Sequence, residues 1–333
     1  MKSGLMCFVL VGCILLGMSP NYSIAAKPEF TLRYAGDYPM GNHITRGMEL
    51  FAKLVDEKSN GRVKIEVYPA SQLFTARDYP RVLPSGGVDM CEVVIGQWSG
   101  LVPSVMIFDL AFHFTDWAHM FRVLDSETGM ILANELEKKA NVKVLYWLQD
   151  GSFGFASKVP LKKLEDFKGV RVRSVNEIGS VLITALGGAP TFMGGGEVYM
   201  ALQRGTVDAG MSSVSSFYTR KYYEVTKYLS GVGAEYGMDA CLINLDRWNS
   251  LPPDVKQILQ SAGKETVVWA RQEAVKIDTD YQQLLKDKGM DVYNLPKDEQ
   301  ARWKKASKPV EDYIVKRCGD LGPKLMEAIE KVR

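Results

Sequence analysis

The clearest residue here with chemistry to offer is an arginine. In Gly169-Val170-Arg171-Val172-Arg173, basic and apolar side chains alternate. Arg171 and Arg173 therefore share one face of a strand, with Arg173 at its exit. A guanidinium there either makes a surface ion pair worth about 0–1 kcal/mol, or offers its planar fork to two carboxylate oxygens. Gly194-Gly195-Gly196 precedes a helix and invites comparison with a phosphate cradle. It lacks the Lys-Ser/Thr of a P-loop and the dinucleotide fingerprint, so Glu197 reads as a cap for that helix. Nucleophilic catalysis needs a nucleophile beside a base, or a metal. The chain has no GxSxG and only 3 histidines, and His113 and His119 stand six apart, off any common helical face. They read as solvated or hydrogen-bonded imidazoles. No metal and no cofactor is implied, and an exported hydrolase is disfavoured.

Around these residues the elements alternate. Phe30–Ala35 reads as a strand and Ile44–Lys58 as a helix with an apolar stripe. Val63–Val67 and Met90–Ile95 read as further strands. Val142–Trp147 is another strand, which Asp150-Gly151 breaks. The run from Ile178 to Leu186 suits a helix that Gly187-Gly188 stops. A short strand follows, and then a helix from Glu197 that ends at Gly205. Tyr218–Leu229 reads as a helix and Tyr236–Leu245 as a strand. From Pro253 to Lys288 no proline interrupts a helical pattern of roughly 54 Å. Such a helix must cross two lobes or kink near Gly263. The fold class is α/β with a mainly parallel sheet.

Composition limits the setting. The 333 residues suffice for two domains, and 46% hydrophobic with 24% charged residues is ordinary for a globular chain. A net charge of +2 supports neither nucleic-acid binding nor an anionic membrane surface. Lys2, the apolar run Leu5–Met18 and the small residues Ser23-Ile24-Ala25 read as a secretory signal peptide over 1–25. Leu10-Val11-Gly12-Cys13 resembles a lipidation box, but Ile14-Leu15-Leu16 continues the apolar core past the cysteine. Cleavage leaves Cys91, Cys241 and Cys318, which lack CxxC spacing and read as buried structural thiols. No other stretch is apolar enough to insert in a membrane.

The order of SNGRVKIEVYPASQL (Ser59–Leu73), GGVDM (Gly86–Met90), FKGVRVR, LGGAP, GEVYMALQRGTVD and FYTRKYYEV resembles the substrate-binding proteins of tripartite ATP-independent periplasmic (TRAP) transporters, in the branch named for dicarboxylate uptake. The resemblance covers nearly the whole mature chain. It implies the two-lobed fold of a periplasmic binding protein, with crossing strands and a long helix bridging both lobes. It places lobe 1 at 26–149 (with parts of 237–333 returning to it), lobe 2 at 150–236, the bridging helix at 253–288 and a C-terminal helical region at 289–333. It also implies a protein that is not an enzyme. Such a protein encloses an organic acid between its lobes in the periplasm and delivers it to small and large sodium-coupled membrane subunits. The same fold serving as a solute sensor for a signalling receptor is the alternative.

By this resemblance Arg173 matches the family's carboxylate clamp, while Arg171 matches a position not used for clamping. Phe153 stands where many relatives carry a second arginine, and Gly195 where they often carry an aromatic. Ser212 and Ser213 replace a common Glu-Asn. These differences imply a site with one fewer charge, one wider wall and one added aromatic. A monocarboxylate with a bulky or aromatic body fits them. A small aliphatic 2-oxo or 2-hydroxy acid, or a C4-dicarboxylate, is the alternative. Burying a ring of about 150–200 Å² contributes roughly 4–5 kcal/mol, enough to replace an ion pair. Further wall candidates by position are Asp37, Gln97, Trp98, Phe192, Met193, Tyr236 and Asp239. Asp239 and Glu92 read as ordinary salt-bridging carboxylates, or as partners for an amine or hydroxyl where the ligand carries one.

Overall fold

The computed structural model describes residues 27–333; the signal-peptide and lipidation readings fall outside them. The described chain forms one sheet of nine strands: β1 Phe30–Gly36, β2 Val63–Tyr68, β3 Met90–Val94, β4 Val142–Ser157, β5 Arg171–Ser174, β6 Ala189–Phe192, β7 Ala209–Ser213, β8 Tyr228–Asn244 and β9 Asp291–Tyr293. Their order is β2-β1-β3-β8-β4-β7-β5-β6, with β9 beside β8. β1, β2 and β3 run parallel, as do β5, β6 and β7. Between these two groups lie β4 and β8, antiparallel to each other and far longer than the rest. The end of β8 pairs with β3, and the end of β4 pairs with β7. Each long strand therefore serves both groups, and this gives the two-lobed α/β architecture.

Asp150-Gly151 does not break β4 as the sequence suggested. The register shifts between Gln149 and Gly151, and Gly151 takes a φ of 121°. A glycine tolerates that backbone where other residues are strained, so a bulge absorbs the irregularity and the strand continues. The bulge is clamped from outside. Asp278 of the helix Pro253–Asp287 accepts the Ser152 N–H at 2.8 Å and the Trp117 Nε1–H at 2.9 Å, and the Ser152 hydroxyl also donates to it. That helix is continuous for 35 residues. Gly263 serves close approach: a Cβ there would stand 3.0 Å from the Tyr146 ring of β4. Val255, Leu259 and Ala262 enter the larger core, and Leu285 at the far end enters a smaller one around Val198, Phe217 and Tyr222.

Two further expectations are corrected. The helix expected over Tyr218–Leu229 is instead a short one, Val214–Thr219. It stops because Lys221 takes a left-handed φ of 58°, and a 3-10 turn at Tyr222–Glu224 leads into β8. β8 then begins eight residues earlier than the expected Tyr236, because its first turn pairs with β4 and β9. The C-terminal region carries β9 before its three helices, Lys297–Ala306, Lys308–Cys318 and Leu321–Lys331.

Two of the three histidine rings are hydrogen-bonded. His119 Nε2 lies 3.0 Å from the Ile329 carbonyl and His43 Nε2 lies 2.7 Å from that of Gln149. Burial pushes the His43 pKa down to about 4. Cys91 and Cys241 are fully buried free thiols on the facing strands β3 and β8. Glu92, next to Cys91 in β3 and the register partner of Cys241, is also buried and accepts the Tyr34 hydroxyl; that hydroxyl is 2.9 Å from Tyr146 Oη. Glu92 thus belongs to the core and does not meet a ligand. Burial pushes its pKa up to about 8, partly offset by the Tyr34 bond.

Two predictions concern this frame. Glu92 is neutral when folded, so its contribution is fully present below its ordinary pKa of 4.5 and is lost as pH rises through about 8. Urea denaturation between pH 7 and 8, above the ordinary pKa of 6.5 at which His43 titrates in the unfolded chain, should show stability falling with pH. In Glu92→Gln the slope should be shallower by up to about 1.4 kcal/mol per pH unit; an unchanged slope refutes a neutral Glu92. At the crossing, a Cβ on Gly237 would come 2.2 Å from Phe153 Cε1. Gly237→Ala should therefore cost about 1–3 kcal/mol in the same assay by displacing that ring, and a neutral effect would count against the packing.

Candidate functional site

Where the two strand groups face each other, a cavity opens with about 30 Å³ of space for water centres. β5 brings Arg173 to it: Arg171 at the start of the strand is exposed, and Val172, Arg173 and Ser174 beyond it are buried. The Arg173 guanidinium is fixed by backbone. Nε donates to the Met193 carbonyl at 3.0 Å and Nη1 to the Met211 carbonyl at 2.8 Å. Among the described residues no carboxylate pairs with it, and its pKa is lowered, chiefly by burial and further by Arg220. A buried cation held by neutral oxygens is poised for an anion. Arg171 instead forms a two-pronged pair with Asp208, at 2.9 and 2.7 Å, and is structural.

A second arginine escaped the sequence reading. Arg220, in the FYTRKYYEV segment just past the short helix, reaches the same cavity. Its Nη2 lies 2.7 Å from Asp37 Oδ2 and 3.2 Å from the Asp37 carbonyl. Asp37 Oδ1 accepts the Ser71 hydroxyl at 2.6 Å. The guanidinium passes over Gly195, where a Cβ would come 2.7 Å from Cζ. Gly195 therefore does not widen a wall: its missing side chain makes room for Arg220. The one signal in the sequence was a glycine beside a helix start, which called for a partner from elsewhere in the chain. Although burial opposes it, the field of Asp37, Tyr222, Tyr38 and Asp150 leaves the Arg220 pKa raised. Glu197 accepts the Gly194 N–H at 2.9 Å and so caps that turn.

Asp150 and Tyr38 are the other omissions. Asp150, read as a strand breaker, lines the cavity and accepts the Ser213 hydroxyl at 2.8 Å. Burial pushes its pKa up to about 6, against the pull of Ser213, Tyr38 and the two arginines. Tyr38 lines the cavity too, with the Arg220 guanidinium 5.5 Å from its ring centre.

Of the expected wall residues, Arg173, Phe153, Asp37, Gln97, Gly195 and Ser212 do meet at the cavity. Gln97 donates to the Val175 carbonyl at 2.8 Å, tying the β3 side to the β5 side. The others lie off it. Trp98 is fully buried in the larger core. Phe192 is 44% exposed, with Arg77 stacked 4.4 Å from its ring centre. Met193 contributes only its carbonyl, and Ser213 stands behind Asp150. Tyr236 packs edge-on against Trp117 at 4.8 Å. Asp239 is fully buried and accepts the Tyr38 hydroxyl at 3.1 Å, so it supports the wall from behind. Strand alternation placed these residues near the right loops but could not tell which way each would turn.

Among the described residues no cluster suited to a metal ion occurs, and no helix is long and apolar enough to cross a membrane. The arrangement presents a buried guanidinium, without a carboxylate partner among the described residues, to the cavity.

Residues 36–317 match the family model for bacterial extracellular solute-binding proteins, family 7. The C4-dicarboxylate-binding periplasmic protein DctP of Rhodobacter capsulatus is 31% identical over 317 residues, 93% of each chain. A TRAP periplasmic solute-binding protein of Sulfurospirillum deleyianum, solved with succinate, superposes with a TM-score of 0.86 at 28% identity, covering 92% of this chain and 100% of that one. Another, from Desulfovibrio salexigens and solved with orotic acid, gives 0.86 at 25% identity, with 91% and 98% covered.

Proposed function

Because this chain belongs to the bacterial extracellular solute-binding proteins of family 7, and is a substrate-binding protein of the TRAP type and not an enzyme, we propose that Arg173 holds the carboxylate of one organic acid between its lobes. The carrying observation is the state of that guanidinium: buried, oriented by two backbone carbonyls and, among the described residues, without a carboxylate partner. A charge-assisted hydrogen bond contributes roughly 1.5–3 kcal/mol, whereas micromolar affinity needs about 8. Enclosure supplies the rest. Phe153 and Val175 offer apolar contact, and Gln97, Ser212 and Asp150 offer hydrogen bonds.

The ligand we propose is a monocarboxylate. Its body lies against Phe153 and is compact, since Arg220 fills the space over Gly195 and little open volume remains. A flat ring suits this better than a branched bulky group. The neighbours' ligands span both main alternatives: orotic acid is a planar monocarboxylate and succinate a C4-dicarboxylate. In our reading the signal peptide sends the chain to the periplasm, lobes 26–149 and 150–236 close on the acid, and small and large membrane subunits receive it.

A thermal-shift screen of aromatic monocarboxylates, aliphatic 2-oxo and 2-hydroxy acids and C4-dicarboxylates tests the ligand class. A ligand at 100 times its Kd adds about 2.7 kcal/mol of stability without turnover. Preference for succinate or malate over every monocarboxylate would defeat the proposal. Arg173→Lys replaces the fork with a point charge and should weaken carboxylate binding by about tenfold or more; unchanged affinity removes the clamp.

A further inference from the structure

The two arginines at the cavity are in opposite states. Among the described residues, Arg173 hydrogen-bonds to backbone carbonyls and pairs with no carboxylate. Arg220 is already paired with Asp37, and the side chains of that pair are only 10% and 11% exposed. The pair is built in from several sides. Asp37 is held at its other oxygen by Ser71, Arg220 gains a second bond to the Asp37 carbonyl, and Gly195 leaves the path of the guanidinium clear. The partners come from distant segments, the loop after β1 and the turn before β8. Nothing in an ordinary surface ion pair requires this construction.

We infer that Asp37 is a built-in substitute for a second ligand carboxylate: by occupying Arg220 it makes the receptor select acids bearing one carboxylate and reject dicarboxylates. The inference rests on the reading of Arg173 as the clamp. A second carboxylate reaching toward Arg220 finds that charge neutralised and sits beside the carboxylate of Asp37. Like charges side by side in a closed, poorly hydrated site repel strongly, and selectivity of this kind works by excluding the wrong ligand as much as by attracting the right one. A neutral end meets no such penalty.

The test uses the full mature protein and pairs of acids on one skeleton: butyrate and succinate, 2-hydroxybutyrate and malate, benzoate and phthalate. Affinities are read by titration calorimetry. The native protein should favour the monocarboxylate of its best-bound pair by about tenfold or more. Asp37→Asn keeps the shape but frees Arg220, and should move the ratio toward the dicarboxylate by about tenfold or more. Asp37→Asn/Arg220→Gln should lose that gain. A ratio unchanged in Asp37→Asn, a gain that persists in the double variant, a native preference for dicarboxylates, or a panel that none of the proteins binds each overturns the inference. If Asp37→Asn does not fold, Arg220→Gln decides. Equal effects on both members of a pair support the inference, and selective loss of the dicarboxylate overturns it. Arg173→Lys separates this from the clamp itself. Loss of every acid in that variant alongside unchanged ratios sinks the Asp37 inference alone. Full binding by that variant alongside shifted ratios sinks the clamp alone.

Discussion

A guanidinium buried away from solvent and, among the described residues, without a carboxylate partner is the constraint that the rest of this molecule accommodates. Arg173 is 4% exposed, so it has lost most of its hydration, and among the described residues its hydrogen-bond partners are two peptide carbonyls. Carbonyl dipoles orient a cation well but do not cancel it. Met193 and Met211 supply them from the segment after β6 and from β7, which explains why the glycine run and the strand β7 must meet at this point. In the proposed function, an incoming carboxylate completes a charge balance that the folded chain leaves open.

The geometry that maintains this state comes from β4 and β8. Because each spans both strand groups, the cavity lies against the middle of continuous strands and not at a flexible linker. The irregular step at Gly151 stands where Asp278 grips Ser152. This is the middle of three register shifts between β4 and β8, and a single helix spans it from outside. Phe153, next to that segment, packs across Gly237 of the partner strand and so reports on the crossing as well as lining the cavity.

Much of this was readable from the residues. The early strands, the helix His43–Ser59 and the long helix followed from periodicity and punctuation within one or two residues, because their burial repeats at helix or strand spacing. Arg173 was readable through its motif. What failed shares one physical cause. Asp150-Gly151 reads as a turn when only local propensity is considered, yet cross-strand pairing carried the strand through it. Arg220 reads as one more surface charge until Asp37, 183 positions away, closes on it. Gly195 was read as empty space because a deleted side chain looks the same whether solvent or a distant residue fills the gap. Trp98, Phe192 and Tyr236 sit near the correct loops, but their orientation depends on packing that no single segment encodes.

The pair of buried thiols on β3 and β8 has a consequence of its own. Thiol–disulfide exchange proceeds through the thiolate and needs access to sulfur. Cys91 and Cys241 are fully enclosed, and burial, reinforced by Glu92, raises both pKa values well above the ordinary thiol range. In an oxidising compartment the folded chain is therefore chemically silent at these sulfurs, while an unfolded chain presents both. Oxidative damage and mispairing thus fall on chains that have not yet folded, and the completed core protects itself from the redox chemistry around it.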